Sequence, residues 1–176
     1  MKIFIVLLSL IIQDEGMTVF DFNAQSVLRN WAIVDDVVMG GRSNGQFQLD
    51  SDGHGWFHGY VSTENYGGFS SVRFNSGTLE INAFQTAEIR LKGDGKFYQF
   101  RCKTKRYDPH SYIYDFQTTG EWETIEIPLH EMKPRFRGRQ LNMPDYPANF
   151  VEEIAFLIGN KKNEEFSLQI DYIKFK

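Results

Sequence analysis

Apolar and polar positions alternate along most of this chain with a period of two. Leu79, Ile81 and Ala83 share one side against Glu80 and Asn82, and Ala87, Ile89 and Leu91 oppose Glu88, Arg90 and Lys92. Tyr98, Phe100 and Cys102 oppose Gln99, Arg101 and Lys103; Tyr112, Tyr114 and Phe116 follow the same rule, as do Ile125, Ile127 and Leu129 around Glu126. The last run puts Phe166, Leu168, Ile170 and Tyr172 on one face. Successive side chains of a strand point to opposite faces, so each run predicts a strand with one buried side and one wet side. Shorter runs near Val19–Phe22, Trp31–Val34, Phe47–Leu49 and Trp56–Phe57 raise the total to about nine or ten strands, with turn signals every 8–12 residues or so.

The turns have their own signatures. Asp50-Ser51-Asp52-Gly53-His54-Gly55 predicts a hairpin turn, and Gly93-Asp94-Gly95 predicts another between the runs at 87–91 and 98–102. Asn23 is placed to cap a short helical turn over Ala24–Leu28. The stretch from Pro128 to Asn149, with Pro134, Pro144 and Pro147, predicts an ordered crossover loop long enough to carry a functional surface. No long helical period interrupts the pattern. The expected fold is all-β: two antiparallel sheets packed as a β-sandwich in the jelly-roll manner.

Composition narrows this reading. The 176 residues suit one domain, and an aromatic content of 15%, with sixteen Phe and eight Tyr, favours half-buried pleated surfaces. That domain is expected over 17–176. Residues 1–16 stand apart: Lys2 and the apolar run Ile3–Ile12 resemble an export signal, but Gln13-Asp14-Glu15 supplies no small-residue cleavage site. The run is also too short for a transmembrane span, which needs about 20 residues. Translation from Met17 would imply a cytoplasmic protein; with residues 1–16 retained, the chain would be exported or membrane-associated.

Charge and chemistry exclude several classes. A net charge of −4 and a pI near 5.6 argue against nucleic acid as the main partner. The lone Cys102 excludes an intrachain disulfide and a cysteine-based metal cluster, and its alternation with Tyr98 and Phe100 predicts a core position. His54, His58, His110 and His130 are scattered, without metal-ligand spacing, and His58 reads as a wet-face strand residue. No metal, cofactor or catalytic residue is expected.

Two segments stand out from ordinary strand and turn. Asp35-Asp36-Val37-Val38-Met39-Gly40-Gly41-Arg42-Ser43 is echoed by Ser62-Thr63-Glu64-Asn65-Tyr66-Gly67-Gly68-Phe69-Ser70-Ser71-Val72-Arg73. Adjacent glycines permit positive φ and close backbone approach, and the flanking Asp, Ser and Asn side chains can bond that backbone. Candidate binding residues are therefore Asp35, Asp36, Gly40, Gly41, Ser43, Ser62, Asn65, Gly67, Gly68, Phe69, Ser71 and Arg73. The plainer alternative is a pair of tight turns whose side chains satisfy buried amides. If Asp36 and Arg73 are buried together they latch two loops; exposed and apart, they form a partner site. Paired carboxylates at Asp35-Asp36 suggest a hydrolase, except that neighbours on an extended backbone point to opposite sides. A second candidate surface is Arg135, Phe136, Arg137 and Arg139 within Lys133–Arg139, suited to an acidic partner or anionic headgroups.

Together these motifs resemble the complex I intermediate-associated protein 30 family. The resemblance rests on Asp35–Gly41 with Ser43, on Gly59-x-Val61-Ser62-x-Glu64-Asn65-x-Gly67-Gly68-Phe69-x-Ser71-Val72-Arg73, and on Arg90-x-Lys92-Gly93-Asp94-Gly95-Lys96-x-Tyr98. Phe136-Arg137-Gly138-Arg139 and the closing Phe166-x-Leu168-x-Ile170-x-Tyr172-Ile173 extend it over essentially 18–176. It implies a galactose-binding-like β-sandwich that assists assembly of the membrane arm of respiratory complex I as a non-catalytic, chaperone-like protein, with protein clients as partners. The near-bare domain points to a bacterial chain. The alternative from another class is a carbohydrate-binding module with a glycan as partner.

Overall fold

The computed structural model describes residues 16–176, so the reading of 1–16 as an apolar leader lies, apart from Gly16, outside the described residues. The described chain folds into two antiparallel sheets built from β1 (Met17–Asp21), β2 (Trp31–Asp35), β3 (Asn44–Leu49), β4 (Gly55–Val61), β5 (Ser70–Glu80), β6 (Thr86–Lys92), β7 (Phe97–Lys103), β8 (Ser111–Gln117), β9 (Trp122–Pro128), β10 (Lys133–Phe136), β11 (Arg139–Gln140), β12 (Phe150–Ile158) and β13 (Glu164–Phe175). One sheet runs β3-β4-β13-β6-β9 with β1 also on β13; the other runs β11-β10-β8-β7-β12-β5-β2. No helix among the described residues is long and apolar enough to cross a membrane.

The period-two runs account for the core. Phe57, Ile89, Leu91, Leu168 and Ile170 of the first sheet are fully buried against Val72, Tyr98, Phe100, Cys102, Ile154 and Phe156 of the second. Cys102 sits in this interior as expected, and burial pushes its thiol well above the ordinary range, so it is inert as a nucleophile. One end of the sandwich is closed by aromatic rings: Trp31 packs on Phe74 at 4.7 Å and on Phe47 at 4.8 Å, and Phe20 meets Phe22 at 4.4 Å.

Five expectations are corrected. Ala24–Leu28 forms no helical turn. Asn23 instead closes a tight turn, its Oδ1 accepting from the Gln25 amide at 2.9 Å and its carbonyl from the Ser26 amide at 2.9 Å. Ala83 does not share a strand face with Ile81, because β5 ends at Glu80 and Ala83 is exposed in the turn that follows. Gly93-Asp94-Gly95 does not close a hairpin; β6 and β7 lie in different sheets, so this turn carries the chain across the sandwich. Asp94 holds it there, accepting from the Tyr98 hydroxyl at 3.0 Å and the Ser167 amide at 3.0 Å. The stretch 128–149 is only partly loop, since β10 pairs with β8 and turns back as β11. In β13 the alternation holds through Ile170, where a bulge shifts the phase: Ile173 and Phe175 become buried, and Tyr172 turns outward to donate to Glu88 at 2.9 Å.

Candidate functional site

The two Gly-Gly segments meet, and the residues that join them are the adjacent aspartates. The chain leaves β2 at Asp35 and tightens at once into a 3-10 helix over Asp36–Met39, which ends on Gly40 in the left-handed region. That tightening defeats the rule for extended neighbours: both carboxylates reach the same seam between loops. Asp36 is fully buried. Its Oδ1 accepts from the Ser43 amide at 3.0 Å; its Oδ2 accepts from the Ser43 hydroxyl at 2.5 Å, the Gly68 amide at 2.5 Å and the Phe69 amide at 3.2 Å. Asp35 clasps a neighbouring pair, accepting from the Gly45 amide at 2.9 Å and the Ser70 hydroxyl at 2.6 Å. Ser43 passes the linkage on, its hydroxyl accepting from the Ser62 amide at 3.0 Å.

Glycine is required where the loops close on this carboxylate. A Cβ at Gly41 or at Gly67 would run into the Asp36 side chain. Burial alone would raise the Asp36 pKa, but the Ser43 hydroxyl and the Gly68, Ser43 and Phe69 amides outweigh it and hold the carboxyl below its usual range. This carboxylate is fully buried, with protein donors on both oxygens, so neither oxygen is open to a substrate from solvent. The geometry is that of a structural clasp rather than an acid–base pair.

Around the clasp, Ser62 and Ser71 are buried, Ser71 donating to the Phe156 carbonyl at 3.1 Å, while Gly40 and Asn65 are exposed and Gly67, Gly68 and Phe69 are half-buried. Tyr66, 97% exposed with φ +62°, projects into solvent from this seam, where Val37, Met39 and the Arg42–Glu64 ion pair are exposed as well. Arg73 is not part of it. It stands on the outer face of the seven-stranded sheet, 3.8 Å from Glu153, so the structure does not bring Asp36 and Arg73 together.

That outer face is the second feature. In cross-strand register, Arg73 lies opposite Ala155, Ala155 opposite Arg101, Arg101 opposite Ile113, and Ile113 opposite Lys133. Three cations from β5, β7 and β10 thus share one row, separated by Ala155 and Ile113, which are only 4% and 3% exposed. Lys103 and Arg135 flank the row: Lys103 lies 3.9 Å from Glu153, and Arg135 bonds Asp115 at 2.8 Å. At one end is a cleft of about 400 Å³ lined by Arg29, Arg73, Arg106, Tyr107 and Glu153 among others. The basic segment 133–139 borders this face. Its Phe136, Arg137 and Arg139 are exposed at the β10–β11 turn, with the Arg137 guanidinium 5.2 Å from the centre of the Phe136 ring. Alternation had already placed Arg101 and Lys103 on a wet face; what the sequence does not carry is that β5, β7 and β10 are brought alongside one another.

The other sheet carries an outward aromatic strip on β4. Trp56 stacks on His58 with ring centres 3.8 Å apart and bonds the Ser167 hydroxyl at 2.9 Å. His58 is a strand residue on this outer face, as expected, but half-buried; its Nε2 is buried without a partner, and burial lowers its pKa. With Asn44, Gln46 and Tyr60 these residues line a cleft of about 350 Å³.

Comparison with known proteins adds a lineage to this geometry. Residues 20–170 match the family described as complex I intermediate-associated protein 30. The mitochondrial complex I intermediate-associated protein 30 of Drosophila melanogaster is 26% identical over 90% of this chain, and that of Mus musculus is 21% identical over 93%. These matches span 62% and 57% of the two relatives, so the chain covers about six-tenths of their length. Among solved structures, the family 11 carbohydrate-binding module of a Clostridium thermocellum cellulosomal cellulase superposes with a TM-score of 0.62 at 19% identity, over 88% of this chain and 91% of the module. That likeness shows the β-sandwich fold.

Proposed function

The chain belongs to the complex I intermediate-associated protein 30 family, and from that membership we propose that it is a non-catalytic protein-binding module that assists assembly of a membrane complex related to respiratory complex I. The match over 20–170 carries the reading. It is supported by the clasp, where the paired carboxylates of the sequence are consumed in holding loops, and by the polar, cation-rich sheet face, which is the kind of surface a protein partner can use. The client would be a subunit of the membrane arm. The test is photo-crosslinking of the full chain in membranes from its own organism, followed by native gels of a strain lacking it. Recovery of membrane-arm subunits and accumulation of an incomplete intermediate are the expected results; a normally assembled complex and no enriched subunit would overturn the proposal.

A second reading is favoured by a specific observation, the Trp56–His58 stack beside Tyr60 and Gln46, because aromatic faces with nearby amides suit sugar rings. Under it the chain is a carbohydrate-binding module. Binding on a glycan array that is lost in Trp56→Ala would support it, and an array without hits would remove it.

A further inference from the structure

We propose that the outer face of the seven-stranded sheet seats an extended, carboxylate-bearing segment of a protein partner with Arg101 as its central anchor, an inference that rests on the protein-binding reading above. Of the three cations in the row, Arg101 is the one without an ion-pair partner within 4 Å among the described residues: Arg73 lies 3.8 Å from Glu153 and Lys133 bonds Asp145 at 2.7 Å. Both hydrogen bonds found from its guanidinium, from Nε at 3.1 Å and from Nη2 at 2.6 Å, end on the neutral Gln99 Oε1. None of the ion pairs among the described residues includes it, although Arg73 has Glu153 and Arg135 has Asp115. Asp115 is already engaged on both oxygens, by Arg135 at 2.8 Å and by Gln99 Nε2 at 2.7 Å. The network runs Arg135–Asp115–Gln99–Arg101 and stops at a charged fork bonded to an amide.

Such a fork is costly as it stands. Burial, with the charges of Arg73 and Arg135, disfavours the cation more than the nearby Asp115 and Glu153 favour it, and its pKa falls to about 10. An incoming carboxylate removes that penalty and takes the planar, two-point geometry that guanidinium favours. Beside Arg101 on this face stand Arg73, Lys103, Lys133 and Arg135, against Glu153, Asp115 and the Asp145 that bonds Lys133 at 2.7 Å, so cations prevail here in a chain whose net charge is −4. The spacing fits an extended chain. Arg73, Arg101 and Lys133 stand two strands apart, about 10 Å, and acidic residues at every third position of an extended polyproline II segment, which turns once in three residues, recur on one side at about 9 Å.

The recess of these side chains selects the partner class. Those of Lys103, Arg135 and Arg73 are only 13%, 28% and 32% exposed, and Glu153 and Asp115 lie among them. A bilayer surface or a nucleic-acid backbone brings a continuous sheet of phosphates that projecting cations meet best and that these two carboxylates repel. A single chain can place its carboxylates one at a time.

The experiment is a fluorescence-anisotropy titration of the full chain with a fluorescein-labelled peptide of repeating Glu-Ser-Ser, run beside the Gln-Ser-Ser version. We expect the Glu peptide alone to bind and its affinity to fall with added salt. Arg101→Gln weakens it at least tenfold, Arg101→Lys recovers only part because it restores charge without the fork, and Lys92→Gln on the other sheet leaves it unchanged. Should Arg101→Gln not fold, Lys133→Gln in the same row serves, with a severalfold loss expected. Wild-type affinity in Arg101→Gln and Lys133→Gln, equal binding of the Gln peptide, no peptide binding, or binding only to phosphatidylserine vesicles that the peptide cannot displace would each overturn the inference. Capture of membrane-arm subunits by a chain that ignores the peptide would sink this inference alone; peptide binding without such capture would sink the assembly reading instead.

Discussion

At the scale of single residues, Asp36 decides more than any other side chain. It gathers four donors from two loops, and its loss would strand the Gly68, Phe69 and Ser43 amides in a buried seam. Hydrogen bonds to charged groups contribute about 1.5–3 kcal/mol, so Asp36→Ala should cost at least ~3 kcal/mol, seen as a melting temperature lower by roughly 6–12 °C in calorimetry. The sign of its pH dependence follows from the lowered pKa. The stabilisation is fully present above the ordinary carboxyl value of 3.8 and is lost as pH falls through the depressed folded value, so Asp36→Asn should flatten the acid limb of stability below about pH 4. His58 titrates higher with the same sign. Its folded pKa lies below 6.5, so stability present above that pH declines as the solution is acidified, and denaturant midpoints of His58→Gln should lose that slope. The residue types at the clasp were legible in the sequence because Asp, Ser and paired Gly favour backbone bonding. Its geometry was not, since a 3-10 turn starting at Asp36 cannot be read from two adjacent aspartates. The supposed Asp36–Arg73 pair failed for a related reason: Arg73 sits on a strand whose phase turns it to the opposite side.

At the scale of elements, period-two patterning gave the strands wherever one face is buried and the ladder is regular. It failed at interruptions that side chains do not announce: the bulge in β13 that reverses the phase after Ile170, and the crossing at Gly93–Gly95, where turn chemistry fits a hairpin equally well. β10 escaped notice because Pro134 reads as a strand breaker, yet β10 lies near the sheet edge and pairs with β8. These differences in placement imply different sensitivities. β13 is the spine of its sheet, paired with β4, β6 and β1, and Leu168 on it is fully buried; Leu168→Ala should cost about 2–5 kcal/mol. Phe136 at the β10–β11 turn is exposed, and Phe136→Ala should stay within ~0.5 kcal/mol. Urea denaturation of the two variants compares them directly, and similar losses would mean the basic turn packs more tightly than its exposure implies.

At the scale of the molecule, the two sheets divide the surface into faces of different chemistry, one ranked with recessed cations and the other with stacked aromatic rings. The sandwich holds those faces in place only if it folds as one unit, which we propose for residues 17–176. The physical ground is continuity. The buried residues of both sheets form one core, β1 is tied to β13 across the length of the chain, and Asp36 joins the loops leaving β2 and β4. Cutting such a core into independent halves would expose apolar surface on both. A protein beginning at Met17 should therefore unfold in a single transition, with calorimetric and van't Hoff enthalpies in agreement and with tryptophan fluorescence tracking far-ultraviolet circular dichroism. Trp31 lies at the aromatic end, Trp56 and Trp122 in the opposite sheet, so the fluorescence signal samples both layers. Two separated transitions would show that the layers melt independently, and the cationic and aromatic faces would then have to be treated as sites on separable units.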